Sequence, residues 1–275
     1  WQRAAQIYAG RQDMVNMAKY YEGLIQNFPK ASPAALAEAH FLLGRAAFDQ
    51  GDFKSSISHM AEAKTLDPQK YGEQVNVLSV LSYHKLQDVN KLKEALETLQ
   101  KENPSAVARV PDVIPAWLGL QAYGMKDLET ADKYMTWATQ NDQLQNVKKV
   151  IWRNLAKVRL ALRKYDRALV ASNNFLKDED QPYRRADGML DKASILLGLG
   201  KYADARKTAE DALALGVEGP LMASLKIVLG DISYAEKKFD EAAKHYGVTA
   251  ELFVNAAELK PKALFKAAEA LDKAG

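Results

Sequence analysis

The chain contains no cysteine. Disulfides, thiolate nucleophiles and cysteine-ligated metals are therefore excluded. Nine prolines and fifteen glycines in 275 residues are too few for a collagen-like or low-complexity chain. No run of eighteen or more apolar residues occurs, so no segment reads as a membrane-spanning helix. Basic excess is also lacking: 38 Lys and Arg against 35 Asp and Glu leave a formal charge of +3, whereas a dedicated nucleic-acid surface carries a clear basic surplus. No signal peptide is visible. The chain opens on WQRAAQIYAG without Met and closes on LFKAAEALDKAG. Both ends read as cuts through a larger protein. The absence of cysteine suits an oxidising compartment, and with the mixed surface it favours a bacterial extracytoplasmic (periplasmic) location, the cytoplasm being the alternative.

What is present is core-forming and helical. Hydrophobic residues make up 48% and charged residues 27%, ample for a folded body. In WRNLAKVRLALRKYDRALVASNNFLKDED, Trp152, Leu155, Ala156, Val158 and Leu162 form one apolar stripe at helical spacing. Tyr165, Ala168, Leu169 and Leu176 form a second stripe after the short polar break Arg163–Lys164. The pattern predicts two helices folded on each other, with alanines where the backbones approach.

The break recurs. Its anchors are QGDFKSS at 50–56, MKDLETA at 125–131, LRKYDRA at 162–168, LGKYADA at 199–205 and EKKFDEA at 236–242. A bulky residue (Phe53, Leu128, Tyr165, Tyr202, Phe239) is followed three places later by a small one (Ser56, Ala131, Ala168, Ala205, Ala242). The last four anchors are 37 residues apart, and the 75-residue gap from Phe53 to Leu128 holds a degenerate unit with Val89 and Leu92 at the anchor positions. The expected units are 1–36 (partial), 37–72, 73–111 (degenerate), 112–148, 149–185, 186–222 and 223–259, with 260–275 a capping or next-unit helix.

These residues resemble the tetratricopeptide repeat. HFLLGRAAFDQGDFKSSISHMAEAKTLDP, from His40 to Pro68, carries Leu43–Gly44, Phe53, Ala63 and Pro68 in the family's order. Trp152, Leu155–Ala156, Tyr165 and Ala168 match in the next clear unit, and Leu229–Gly230, Phe239, Ala242 and Tyr246 in the last. The family unit has about 34 residues, so the longer spacing here adds length to a helix or a link. Ser79–Val80 replaces the Leu-Gly pair in the degenerate unit. The implied fold is all-α: one right-handed solenoid, an alpha-alpha superhelix of antiparallel helix pairs over residues 1–275. Each pair buries an apolar face on the next. Gly44, Gly119 and Gly230 permit close helix approach, and Pro29, Pro68 and Pro104 end second helices.

Chemistry is harder to place. His40, His59, His84 and His245 show no HExxH arrangement, and neither a phosphate loop nor a GxSxG elbow occurs. His40 and His59 share a unit and are expected to serve packing, as are Trp117, Trp137 and Trp152. No catalytic residue, metal site or cofactor is expected, and the chain reads as a non-enzyme. In the resembled family, partners contact first-helix residues on the concave side. The corresponding candidates are Phe41, Arg45, Phe48, Asp49, Leu120, Tyr123, Arg153, Lys157, Asp187, Leu190, Ser194, Ile227, Asp231 and Tyr234. Arg153 and Lys157 lie one turn apart and can reach one carboxylate. The reading is a protein-interaction scaffold holding a peptide or protein segment, without nucleic acid and without membrane insertion. The alternative is a structural or assembly domain of a larger envelope protein or enzyme complex.

Overall fold

A computed structural model of the chain describes residues 1–140, 145–252 and 258–275. Among the described residues the regular structure is helical. Its elements are α1 (Gln2–Gly10), α2 (Met14–Asn27), α3 (Pro33–Asp49), α4 (Phe53–Leu66), α5 (Pro68–Lys85) and α6 (Val89–Glu102), then a 3₁₀ turn at Pro104–Arg109. There follow α7 (Val113–Gly124), α8 (Leu128–Thr139), α9 (Gln145–Ala161), α10 (Tyr165–Lys177) and α11 (Pro182–Gly198). The chain ends with α12 (Tyr202–Leu213), α13 (Gly219–Ala235), α14 (Phe239–Leu252) and α15 (Leu259–Ala274). The ends of the expected units 112–148 and 223–259 fall partly on residues 141–144 and 253–257, outside the described residues. The stretch from Trp152 to Asp180 is two helices, α9 and α10.

Among the described residues, one kind of turn closes seven antiparallel pairs. Gln12, Gly51, Gln87, Lys126, Arg163, Gly200 and Lys237 have positive φ. The N–H of each following residue reaches back five positions, from Asp13 to Tyr8, Asp52 to Ala47, Asp88 to Tyr83, Asp127 to Ala122, Lys164 to Arg159, Lys201 to Leu196 and Lys238 to Ser233, over 2.8 to 3.1 Å. This is the Schellman closure, which satisfies carbonyls orphaned at a helix end. The residue after it caps the next helix. Asp13, Asp52, Asp88 and Asp127 accept from the N–H groups of Asn16, Ser55, Lys91 and Thr130. Lys164 and Lys201 stand at the same place with no side-chain cap.

The chain forms two compact units, residues 1–114 and 115–275. In the first, Met17, Tyr21 and Leu24 of α2 bury against Ala39 and Leu43 of α3, and Ala37, Met60, Tyr71 and Val75 form a second cluster across α3, α4 and α5. In the second, Met135, Leu155, Ala156, Val158, Ala168 and Ala171 form one core, and Ala205, Ala209, Leu225, Leu229 and Ile232 belong to another. Close crossings need small residues. A Cβ on Gly119 would lie 2.9 Å from the Met135 backbone nitrogen, so α7 and α8 meet where only glycine fits.

Polar residues hold some junctions. Arg159 Nε donates to Asp132 Oδ1 at 2.8 Å, Arg159 also donates to Thr136 Oγ1 at 2.7 Å, and Lys164 reaches Asp132 Oδ2 at 2.9 Å. Burial pushes Asp132 up, but hydrogen bonds from Arg159 and Lys164 outweigh it and hold the carboxyl below its ordinary range. Asp132 is the fifth residue after its turn's capping position, and Arg159 the fifth before the next. The same two places hold Leu169 and Leu196 at the following junction, both in an apolar cluster, and Arg206 and Ser233 at the one after, joined at 3.2 Å.

The C-terminal helix buries only part of its apolar stripe. Ala263, Leu264, Ala267, Ala268 and Leu271 recur at helical spacing in its sequence. Ala263 and Ala270 are fully buried, Ala267 packs beside them, and Leu264, Phe265 and Leu271 are exposed. The cluster they join contains Ile227, Ala243 and Tyr246, with Tyr234 packed against it, and Phe239 meets Tyr234 edge-on. Alanines allow α15 to lie close on α14, and that close approach selects the small face.

Candidate interaction surface

The candidate residues share a register. Counted back from the capping position of their own turn, all except Asp49 fall fourteen, eleven, seven or four residues before it. Steps of three and four keep them on one face of each first helix. Phe41 stacks on Tyr71 with centroids 4.7 Å apart, and Phe48 meets Phe53 edge-on at 5.4 Å. Arg45 and Asp49 are exposed; Leu120, Tyr123, Leu190 and Ser194 are half-buried. Ser194 Oγ donates to the Leu190 carbonyl of its own helix at 3.0 Å. Ile227 is a correction: it is 3% exposed within the cluster that α15 covers, out of reach of a partner.

The charged candidates meet one another rather than a shared anion. Arg153 on α9 pairs with Asp187 on α11, and Lys157 stands 3.8 Å from Asp191 one turn on. The pairing has a counterpart in the first unit, where Gln2 Nε2 donates to Glu38 Oε2 at 3.0 Å. Gln2 and Arg153 both lie eleven residues before their capping position, and Glu38 and Asp187 both lie fourteen before theirs. A polar rung at the same two register positions thus bridges α1 to α3 and α9 to α11. On α13, Asp231 Oδ1 accepts from Tyr246 at 2.7 Å and from Lys266 of α15 at 2.6 Å. Asp231, Tyr234, Tyr246, Lys266 and Glu269, with Leu197 and Ala235, line a cleft of about 390 Å³.

Asp191 is the most perturbed carboxyl of this face. Burial pushes it up to about 6, with Lys157 opposing, Asp187 adding to the rise and Arg153 opposing. Its Oδ2 atom is buried without a hydrogen-bond partner, and 3.8 Å to Lys157 is too long for one. Glu38 goes the other way. Burial raises it, but hydrogen bonds from Gln6, Tyr21 and Gln2 together hold it below its ordinary range. Sequence reading named Arg153, Lys157 and Asp187 but missed Asp191, Glu38 and Lys266. The signal for Asp191 was present: Asp187 and Asp191 repeat the four-residue spacing of Arg153 and Lys157 with opposite sign.

Two segments, 18–71 and 190–253, match the tetratricopeptide repeat model. Together they span less than half of the chain. No curated protein matched the sequence. Among solved structures, Naa15/Naa10 bound to HypK-THB is 15% identical, with a TM-score of 0.53 over 96% of this chain and 38% of that one. The apo form of RapI is 15% identical, with a TM-score of 0.51 over 86% of this chain and 71% of that one. A tetratricopeptide repeat protein from Parabacteroides merdae is 16% identical, with a TM-score of 0.40 over 96% and 95%. At such identities the likeness bears on fold alone, and the two structures with TM-scores above 0.5 agree with an all-α, tetratricopeptide-like helical repeat. No described helix is long and apolar enough to cross a membrane.

Proposed function

We propose that this helical-repeat chain is a non-catalytic scaffold that binds a peptide or protein segment along its first-helix face. The observation that carries the reading is the shared register: partly exposed aromatic, aliphatic and charged side chains recur at the same places on successive first helices. Packed helices lie about 8–10 Å apart, and an extended chain advances about 3.3 Å per residue. A segment crossing α9, α11 and α13 therefore presents about every third side chain to each helix. Arg153, Asp187 and Asp231 already have partners, so an incoming charge gains only by exchanging with them. Such a face selects by shape and hydrogen bonding more than by net charge.

The pairing also decides which experiment is clean. Truncating Arg153 and Lys157 strips Asp187 and Asp191 of their cations and confounds binding with folding. A photo-crosslinking residue at Leu190 or Ser194 on α11, compared with one at exposed Asp211 on α12 or Lys244 on α14, leaves the rungs intact. Adducts to a discrete partner from the α11 positions and none from the second-helix positions are expected. Equal yields from both faces, or no adduct anywhere, would reject the first-helix face as the binding surface.

A further inference from the structure

His40 lies on α3 and His59 on α4, nineteen positions apart, and the helix crossing brings them together. Gly44, one turn after His40, makes the approach close: a Cβ there would stand 3.1 Å from His59 Cβ and 3.1 Å from the Ser56 carbonyl oxygen. The two Nδ1 atoms are 3.1 Å apart, while the ring centroids are 5.2 Å apart and the planes tilted by 47°. The rings therefore meet by their Nδ1 corners. Both imidazoles are half-buried. Burial holds both below the ordinary histidine range, aided for His40 by its neighbour, so each is neutral near pH 7. Glu22, Asp52 and Glu62 lie close enough to act on His59 with negative charge.

A hydrogen bond between two neutral rings would account for the contact as packing, the role sequence reading assigned. Two features go further. Imidazole nitrogens bind zinc at about 2.0–2.1 Å, and with 3.1 Å between them the angle at a shared ion is about 100°, between the cis angle of a square or octahedral site and the tetrahedral angle. The surrounding carboxylates also favour a cation. We propose that His40 and His59 bind one divalent transition-metal ion of the imidazole-preferring kind, zinc, nickel or copper(II), through their Nδ1 atoms. Among the described residues no set of three His, Cys, Asp or Glu side chains converges. The site is accordingly a two-imidazole clamp with solvent in its remaining positions. Binding replaces the Nδ1–H···Nδ1 hydrogen bond. The ring that carried its proton on Nδ1 carries it on Nε2 instead, so two neutral rings bind without net proton release. The ion ties α3 to α4 at the crossing where Gly44 faces His59.

The test uses the intact chain and Zn²⁺ or Ni²⁺ alone. Isothermal titration is expected to show one saturable site, and NMR should show the same titration perturbing two of the four histidine rings. The denaturation midpoint of the parent should rise with added metal, because only the folded chain holds the two nitrogens together. His40→Asn and His59→Asn should each weaken binding about tenfold or more, and His84→Asn and His245→Asn should leave it unchanged. A parent with no saturable site, or binding that persists in both His40→Asn and His59→Asn, overturns the proposal. The ring signals and midpoint of the parent decide the matter even if a variant fails to fold.

Discussion

Asp132 Oδ1 accepts a 2.8 Å hydrogen bond from Arg159 Nε across the α8–α9 junction, with both side chains only 9% exposed. Removing one partner of such a pair leaves a buried charge and costs about 3–5 kcal/mol. Lys164 also reaches Asp132, which places Arg159→Ala at the lower end. The double variant Asp132→Leu/Arg159→Leu should recover most of the loss, because Leu169 and Leu196 fill the same two places at the following junction. Urea denaturation of the single and double variants checks this. A double variant no better than the single one would show that the two junctions differ in shape.

Asp191 sets a pH dependence. Its carboxyl is raised from 3.8 to about 6, so the fold favours the neutral form. The associated stability is fully present below the unfolded value and is lost as pH rises through about 6. Asp191→Asn should therefore be more stable than the parent by about 2–3 kcal/mol near pH 7.5, and close to it near pH 4. Denaturation midpoints across that range provide the measurement. A less stable variant near pH 7.5 would mean that attraction from Lys157 outweighs the burial of the charge.

Gly119 has no room for a methyl group. The nearest atoms to an added Cβ would be Met135 Cγ at 2.7 Å and Met135 N at 2.9 Å. Gly119→Ala should lose about 1–3 kcal/mol by forcing α7 from α8. Gly124, at the end of the same helix, meets nothing within 4 Å. Gly124→Ala should be neutral or up to about 1 kcal/mol more stable. Equal midpoints for the two variants would place the crossing elsewhere.

The turn register predicts a stabilising change. Lys201 has φ −85° and ψ 63°, close to φ −83° and ψ 75° at the capping Asp52. Lys201→Asp should supply the missing cap and add about 1 kcal/mol. Lys164 occupies the same place but is bonded to Glu129 and Asp132, so Lys164→Asp should destabilise. Thermal denaturation of the two variants should shift in opposite directions. A shift in the same direction would show that cap chemistry does not control these turns.

How far the fold was legible depended on how local its causes are. The break after Leu162, the small residue three places after each anchor and the apolar spacing all act within one helix pair, and they gave the antiparallel hairpins directly. The closing turn was less visible. Only two of its seven positive-φ residues are glycine, so its mark is the Asp or Lys that follows. On α15 the apolar spacing misled, because Leu264 and Leu271 look like core residues until α14 is seen to accept only the alanine side.

The sequence by itself determined that this chain is a series of helix pairs, and on which face of each first helix the candidate residues lie, because caps, turns and helical periodicity are short-range. Only the tertiary structure decided that Arg153 meets Asp187, that Asp191 lies beside Lys157 with its Oδ2 atom buried, and that two histidines touch by their Nδ1 atoms. Those contacts join positions 19 to 34 residues apart. They depend on how closely two backbones cross, which small residues such as Gly44 permit but helical spacing alone does not encode.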